Sequence, residues 1–128
     1  MMSRQISVLL VEDDFLIRAC LAEYLEECNV TVLEAESCAE AMRYLTSTRG
    51  LDAMITDISL PDGNGKALSH EARTLWPDLP VIFTSGHGAS LTCLGDALRP
   101  KDRVISKPYP MAHVFDALKA VAADRSSH

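Results

Sequence analysis

The feature that most constrains the fold of this chain is a repeated alternation of short apolar runs with segments of helical period. Five apolar runs have the length of a strand, and after each of them apolar residues recur every three or four positions. The runs are 6–11, 30–34, 53–57, 80–83 and 103–106, and the helical segments are 15–28, 38–49, 65–75, 89–98 and 111–122. Because strands that alternate with helices usually pair in parallel, the sequence predicts one parallel sheet covered by helices on both faces.

Turn and capping residues mark where several of these elements begin. Asp14 is expected to cap the first helix, and Ser37-Cys38-Ala39-Glu40 has the form of a capping box at the start of the second. The loop Gly63-Asn64-Gly65 is expected to be flexible, with Asp62 supporting its turn. By helix propensity the segment 89–98 is predicted to be the weakest helix and the most mobile one.

The size and hydropathy of the chain favour a single cytoplasmic domain. Its 128 residues are enough for one core, and 48% of them are hydrophobic and 23% charged. No apolar run approaches the roughly 20 residues that a membrane helix requires. The first residues, Met1 to Gln5, do not have the charged and then apolar layout of a signal peptide. We therefore expect no membrane insertion.

Charge and cysteine content narrow the classes of ligand. The formal net charge of −6 disfavours direct nucleic-acid binding, because that affinity comes largely from Lys and Arg at phosphates. The four cysteines, Cys20, Cys28, Cys38 and Cys93, have no close-paired spacing and fall on apolar helical positions. They are predicted to be buried free thiols rather than zinc ligands or disulfides.

Polar residues follow the predicted strands at their carboxyl ends, where open parallel sheets bind their ligands. Glu12 and Asp13 follow the first strand, Asp57 ends the third, Ser85 follows the fourth and Lys107 follows the fifth. Two carboxylates about 5 Å apart at an effective dielectric constant near 20 repel by roughly 3 kcal/mol, so three of them need a compensating cation. Taken alone, each residue is better explained as a turn, cap or solvated charge, but their joint placement indicates a site.

Four segments together resemble the receiver domain of bacterial two-component response regulators. They are Val11-Glu12-Asp13-Asp14, Asp57 to Gly65, Pro80 to Gly86, and Lys107-Pro108. The resemblance covers essentially the whole chain and implies a flavodoxin-like (βα)5 fold with strand order 2-1-3-4-5. It further implies a single receiver domain over residues 1–128 with no output domain.

The resemblance also assigns a role to each residue at the strand ends. It makes Asp57 the phosphoacceptor, Glu12, Asp13, Asp57 and the backbone carbonyl of Ser59 the site of Mg²⁺ or Mn²⁺, and Ser85 and Lys107 the contacts of the phosphoryl group. Hard oxygen ligands suit Mg²⁺, and phosphoryl transfer needs charge neutralisation around an in-line nucleophile. The Lys107–Pro108 peptide bond is expected to be cis, by the same resemblance.

Three positions depart from the usual pattern of the family, and the role of a fourth residue, His87, is left open. Val104 stands where most receivers have Tyr or Phe, so the usual aromatic switch is absent. Ser85 replaces the commoner Thr, and Glu12 replaces the commoner Asp. His87, two residues after Ser85, could face the phosphorylation site or be an ordinary loop residue.

The function implied by the resemblance is that of a stand-alone regulator. It would take a phosphoryl group from a sensor histidine kinase or a histidine phosphotransfer protein, and then dock on an unknown downstream protein or act as a phosphate sink. It would catalyse only its own phosphorylation and dephosphorylation. We expect a monomer and leave dimerisation on phosphorylation open.

Other functions remain as alternatives. A Mg²⁺-dependent phosphatase with an aspartate nucleophile would use Asp57 too, but such enzymes usually carry a second Asp where this chain has Ser59. An interaction module independent of phosphorylation would not need the complete set of site residues. Gly65-Lys66-Ala67 lacks the upstream Gly and the final Ser or Thr of a P-loop, which excludes that class.

Overall fold

A computed structural model describes residues 5–86 and 94–126 and contains one five-stranded parallel sheet. The strands are β1 (Ile6–Val11), β2 (Val30–Ala35), β3 (Ala53–Asp57), β4 (Ser59–Leu60), β5 (Gly63–Asn64), β6 (Val81–Ser85) and β7 (Arg103–Ser106). The helices are α1 (Phe15–Glu27), α2 (Cys38–Ser47), α3 (Gly65–Leu75) and α4 (Met111–Ser126). The sheet order β2-β1-β3-β6-β7 becomes 2-1-3-4-5 when only its own strands are counted, which confirms the predicted topology.

Buried side chains form one apolar cluster on each face of the sheet. Leu9 and Val11 of β1 pack with residues of α2 and α3, whereas Val8 and Leu10 of the same strand pack with residues of α1 and α4. Successive side chains of a strand point to opposite faces, so a continuous apolar run is what a strand covered on both sides requires. The helices therefore lie on both faces, as predicted.

The strand register brings the carboxyl ends of four strands side by side. Val11 is opposite Thr56, and Asp57 is opposite Thr84. Ser85 at the end of β6 is opposite Ser106 at the end of β7. Residues that come directly after these strands consequently meet at one edge of the sheet.

The segment after β3 is more ordered than the sequence suggests. Residues 63–65 were expected to form a flexible loop, but β4 and β5 pair as an antiparallel hairpin, with Ser59 opposite Asn64. The Asn64 side chain accepts a hydrogen bond of 2.8 Å from the Ala67 N–H and so caps α3. Asp62 does more than support the turn, because its carboxylate accepts hydrogen bonds from the backbone at the start of α2.

The two predicted helix caps are present. Asp14 accepts a hydrogen bond of 3.1 Å from the Ile17 N–H, and Ser37 accepts one of 3.1 Å from the Glu40 N–H. The Glu40 carboxylate reaches back one residue further than in a standard capping box, to the Glu36 N–H at 2.8 Å.

Two other expectations need correction or fall outside the described residues. Half of the helix predicted over 89–98 lies in the segment 87–93, which is outside the described residues; of the remainder, Leu94 is helical and Gly95–Ala97 form a 3₁₀ turn. The cysteines are free but not buried: Cys20 is exposed, and Cys28 and Cys38 are half-buried, because they lie at the margins of the apolar helix faces. Cys93 is outside the described residues.

No helix in the described part of the chain is long and apolar enough to cross a membrane.

A buried ion pair joins the elements at the opposite edge of the sheet. Arg73 of α3 donates through Nη2 to both carboxylate oxygens of Asp102, at 2.6 and 2.7 Å. The guanidinium also donates to the carbonyls of Leu79 and Ala97. Asp102 in turn accepts from the backbone N–H of Val81 at 2.9 Å and of Arg99 at 2.8 Å. The pair thus fixes the amino-terminal ends of β6 and β7 to α3.

Candidate functional site

Three carboxylates gather at the carboxyl edge of the sheet. Glu12, Asp13 and Asp57 each offer an oxygen, and these oxygens all lie within 4.8 Å of one another. Glu12 is 3% exposed and Asp57 8% exposed, whereas Asp13 faces solvent. The cluster is therefore open on one side and enclosed by protein on the other.

Lys107 supplies the positive charge that this cluster requires. Its Nζ donates to Glu12 Oε1 at 2.6 Å and to Asp57 Oδ2 at 2.7 Å. The Lys107 N–H donates to the carbonyl of Ser85 at 2.7 Å, which places the lysine directly beyond the end of β7. The Lys107–Pro108 peptide bond is cis, as expected.

Burial and pairing shift the protonation equilibria of both partners. Burial raises the pKa of the Glu12 carboxyl above its usual value, although hydrogen bonds from Lys107 and from the Asp14 N–H oppose the rise. Burial alone would lower the pKa of the Lys107 ammonium. Hydrogen bonds with Asp57 and Glu12 outweigh that effect and hold this pKa above its ordinary value. Lys107 is consequently a permanent cation at neutral pH.

Several groups hold Glu12 in place. Its backbone N–H donates to the Ala35 carbonyl at 3.0 Å, and its own carbonyl accepts from Arg18 Nη1 at 2.8 Å. Its carboxylate oxygen Oε2 accepts from the Asp14 N–H at 3.0 Å. Arg18 also pairs with Glu34 at 3.2 Å, so one arginine ties the end of β1 to β2. Sequence reasoning missed Arg18, which reads as an ordinary charged residue on a helix.

The backbone around Asp57 is equally constrained. Its Oδ1 accepts a hydrogen bond of 3.3 Å from the Ser59 N–H, and the Ile58 N–H donates to the Thr84 carbonyl at 3.0 Å. The start of α3 passes so close that a Cβ on Gly65 would lie 2.5 Å from the Asp57 carbonyl oxygen. Only glycine fits there without moving the backbone of Asp57.

Comparison with protein families agrees with this geometry. The family model for the response regulator receiver domain matches residues 8–119 of this chain. The chain belongs to this family. As a receiver it is part of two-component signalling, and the flavodoxin-like sheet described above is the fold of its structural neighbours.

Relatives of this receiver include both short and long proteins. It is 29% identical over 113 residues to the response regulator receiver protein CpdR of Brucella abortus, covering 88% of this chain and 92% of CpdR. It is also 29% identical over 119 residues to the sensor kinase CckA of the same organism, covering 92% of this chain and 13% of CckA. The chain thus spans only a small part of some curated relatives that it matches. A CheY-like receiver structure from Methanospirillum hungatei superposes with a TM-score of 0.87 at 25% identity, covering 96% of this chain and 98% of that one.

Ser85 and Ser59, also predicted for the site, lie at the strand ends beside the carboxylates of this receiver. Ser85 is buried at the end of β6, and Ser59 is exposed at the start of the β4–β5 hairpin. Val104 is half-buried and packs against the apolar cluster that contains Phe83. His87 is outside the described residues.

The donor set of this receiver fits a hard dication. Glu12, Asp13 and Asp57 offer only oxygen ligands, and a site that is open on the Asp13 side leaves room for the waters that Mg²⁺ retains. An acidic cluster of this kind is typical of the Mg²⁺ site in the family. Among the residues that the structure describes, the cluster contains no thiolate or imidazole, the ligands that softer metals prefer.

Proposed function

We propose that Asp57 accepts a phosphoryl group from a phosphohistidine donor, with Mg²⁺ held by Glu12, Asp13, Asp57 and the backbone carbonyl of Ser59. The observation that supports this most directly is the contact of the Lys107 ammonium with the carboxylates of both Glu12 and Asp57, beside the exposed Asp13. A cation already placed between the acceptor and its acidic neighbour is what a developing phosphoryl charge requires.

The proposed reaction is the transfer of a phosphoryl group from nitrogen to oxygen. A carboxylate oxygen of Asp57 attacks phosphorus and forms an acyl phosphate, while the P–N bond of the donor breaks. The leaving imidazole keeps the electron pair of that bond and takes up a proton from solvent water. Lys107 pairs with an oxygen of the transferred group, and the Ser85 hydroxyl donates to another. Bound Mg²⁺ supplies neutralisation of the charge on the phosphoryl oxygens.

An apolar groove beside the site suits the phosphodonor protein. It has a volume of about 310 Å³ and is lined by residues of α1 and of the segment that comes after β7, namely Leu16, Ile17, Cys20, Leu21, Lys107, Pro108, Tyr109 and Met111. Leu16 in this lining is 70% exposed, and the preceding residue, Phe15, is 66% exposed. Large exposed apolar side chains mark contact surfaces. A histidine kinase or histidine phosphotransfer protein that docked here would bring its phosphohistidine to the Lys107 side of Asp57.

Signal output would then occur through a change in docking to a downstream protein, or through removal of phosphoryl groups from a pathway. The half-buried Val104 is too short for the rotation made by an aromatic switch residue. The signal would instead be transmitted by a shift of the backbone that follows Ser85. The Ser85 carbonyl accepts a hydrogen bond from the Lys107 N–H. The net charge of −6 favours a protein partner over nucleic acid.

The test uses phosphoimidazole as a small P–N donor, followed by hydroxylamine. An acyl phosphate at Asp57 reacts with hydroxylamine to give a hydroxamate, which peptide mass spectrometry locates on that residue. In parallel, p-nitrophenyl phosphate reports turnover of an external ester. We expect a hydroxamate on Asp57 and no multiple turnover. Sustained release of nitrophenol that requires Asp57 would instead show a phosphatase.

A further inference from the structure

The turn of the β4–β5 hairpin is attached to the first turn of α2 by one side chain. Asp62 Oδ1 accepts from the Cys38 N–H at 2.8 Å, and Asp62 Oδ2 accepts from the Ala39 N–H at 3.0 Å. These two hydrogen bonds lower the pKa of the Asp62 carboxyl, so it stays ionised at neutral pH. A carboxylate that receives two backbone N–H groups is a charge-assisted link between the turn and the helix.

This link completes the amino terminus of α2. The first N–H groups of a helix have no partner within it, and Ser37 satisfies only that of Glu40. Asp62, 24 residues further along the chain than Cys38, satisfies the two before it. The Cys38 Sγ also lies 3.2 Å from the point where a Cβ of Gly63 would stand, so the turn and the helix are in close contact beside the link.

The hairpin fixed in this way carries the residues that come after Asp57. Ser59 opens β4 and donates its N–H to Asp57 Oδ1, while across the hairpin it pairs with Asn64. The Gly65 N–H donates to the Ile58 carbonyl at 2.7 Å, which closes the base of the hairpin. Release of the turn at Asp62 would remove the charge-assisted link to α2 and leave the hairpin held by its base and by the packing of Leu60 on the apolar core.

We propose that Asp62 is a positioning residue that fixes the β4–β5 hairpin and thereby places the Ser59 carbonyl and the Asp57 carboxylate for metal binding. The proposal rests on the function proposed above, in which the Ser59 carbonyl is a Mg²⁺ ligand. Residues that orient the ligands of a metal typically change its affinity by about 10- to 100-fold when they are replaced. Asp62 acts through Ser59 and itself remains outside the metal site.

The experiment compares Asp62→Ala and Asp62→Asn with the native chain. The matched control is Asp116→Ala, which removes an exposed Asp of α4 whose pairing with Lys119 is long, at 3.8 Å. Amide hydrogen exchange without metal reports the link itself, at Cys38, Ala39 and Ser59. An NMR titration with Mg²⁺ gives the Kd, and phosphorylation by phosphoramidate is measured against Mg²⁺ concentration.

In Asp62→Ala we expect faster exchange at all three amides and a Mg²⁺ Kd raised by about 10-fold. Asp62→Asn, which keeps one acceptor oxygen, should fall between Asp62→Ala and the native chain. Phosphorylation should be slower at low Mg²⁺ and recover to within about twofold of the native rate at saturating Mg²⁺, because the hairpin affects metal affinity rather than the transfer step. Asp116→Ala should match the native chain throughout.

Faster exchange at Cys38 and Ala39 with native exchange at Ser59 and a native Kd would overturn the proposal, since Asp62 would then only cap α2. A native chain that binds Mg²⁺ but is never phosphorylated would contradict the proposed function instead. In that case the Kd of the Asp62 variants still decides the positioning role. The two failures are therefore distinguishable.

Discussion

Replacement of Arg73 by Met should lower the free energy of unfolding by about 3 to 5 kcal/mol. The substitution keeps most of the side-chain volume but leaves the nearly inaccessible Asp102 carboxylate without its cation. It also removes the donors to the Leu79 and Ala97 carbonyls. An unpaired charge in the interior costs far more than the pair itself contributes, which is why loss of one partner is so destabilising.

Urea denaturation of the native chain and the variant measures this effect, and Arg43→Met is the matched control. Arg43 is an exposed arginine on α2, so its replacement should change the free energy of unfolding by no more than about 0.5 kcal/mol. Asp102→Asn and the double variant complete a thermodynamic cycle, in which the two single losses should not add. A loss below about 1 kcal/mol in Arg73→Met would contradict the expectation that Asp102 is left as an unpaired charge in the interior.

Replacement of Lys107 by Met should change metal binding and phosphorylation in opposite directions. The Lys107 ammonium contacts both Glu12 and Asp57, and it would repel a dication held by the same carboxylates. Its removal should therefore tighten Mg²⁺ binding, by roughly 10-fold after solvent screening. The phosphoryl group would lose a donor placed for its charge, so the phosphorylation rate should fall by roughly 100-fold or more.

An NMR titration with Mg²⁺ and the rate of phosphorylation by phosphoramidate at saturating Mg²⁺ give the two quantities. Lys101→Met serves as the control, because Lys101 is exposed and lies at the opposite edge of the sheet, before β7. Weaker Mg²⁺ binding in Lys107→Met would mean that the lysine supports the metal site rather than competing with its ion. An unchanged phosphorylation rate would remove Lys107 from the transfer step.

The fold could be predicted from the sequence because its signals are local. Each of the five apolar runs is long enough for one strand and is followed by a helical period, and parallel pairing follows from that alternation. The gathering of Glu12, Asp13, Asp57 and Lys107 follows as well, because residues after parallel strands share one edge of the sheet. Their positions in the chain predict a shared edge, and the strand order that brings them together was implied by the resemblance to receivers.

The supporting contacts could not be predicted, because both partners look ordinary in sequence. Arg18 and Arg73 are single charged residues on helices, and their partners lie on other elements. Asp62 lies in a turn sequence, and nothing local indicates that its carboxylate reaches a helix that begins 24 residues earlier. The requirement for glycine at Gly65 comes from the carbonyl of Asp57, a contact that exists only once β3 and α3 are packed.

The burial of the cysteines shows a different limit of prediction from sequence. Cys20, Cys28 and Cys38 occupy positions of apolar period, which led to the prediction that they are buried. Periodicity identifies the face of a helix but not how far the neighbouring elements extend over it. Cys20 is exposed and lines the apolar groove beside Lys107, at the margin of the packed face of α1.

The most direct test of the phosphoacceptor proposal is the intact mass of the chain after incubation with phosphoramidate, with Mg²⁺ and with EDTA in its place. We expect one phosphoryl adduct on the native chain with Mg²⁺, none with EDTA and none on Asp57→Asn. The Asp57→Asn variant keeps the shape of the side chain and one acceptor oxygen, so loss of the adduct would report loss of the nucleophile. An adduct of equal yield on Asp57→Asn, or a native chain that binds Mg²⁺ and stays unmodified, would contradict the assignment of Asp57 as the phosphoacceptor.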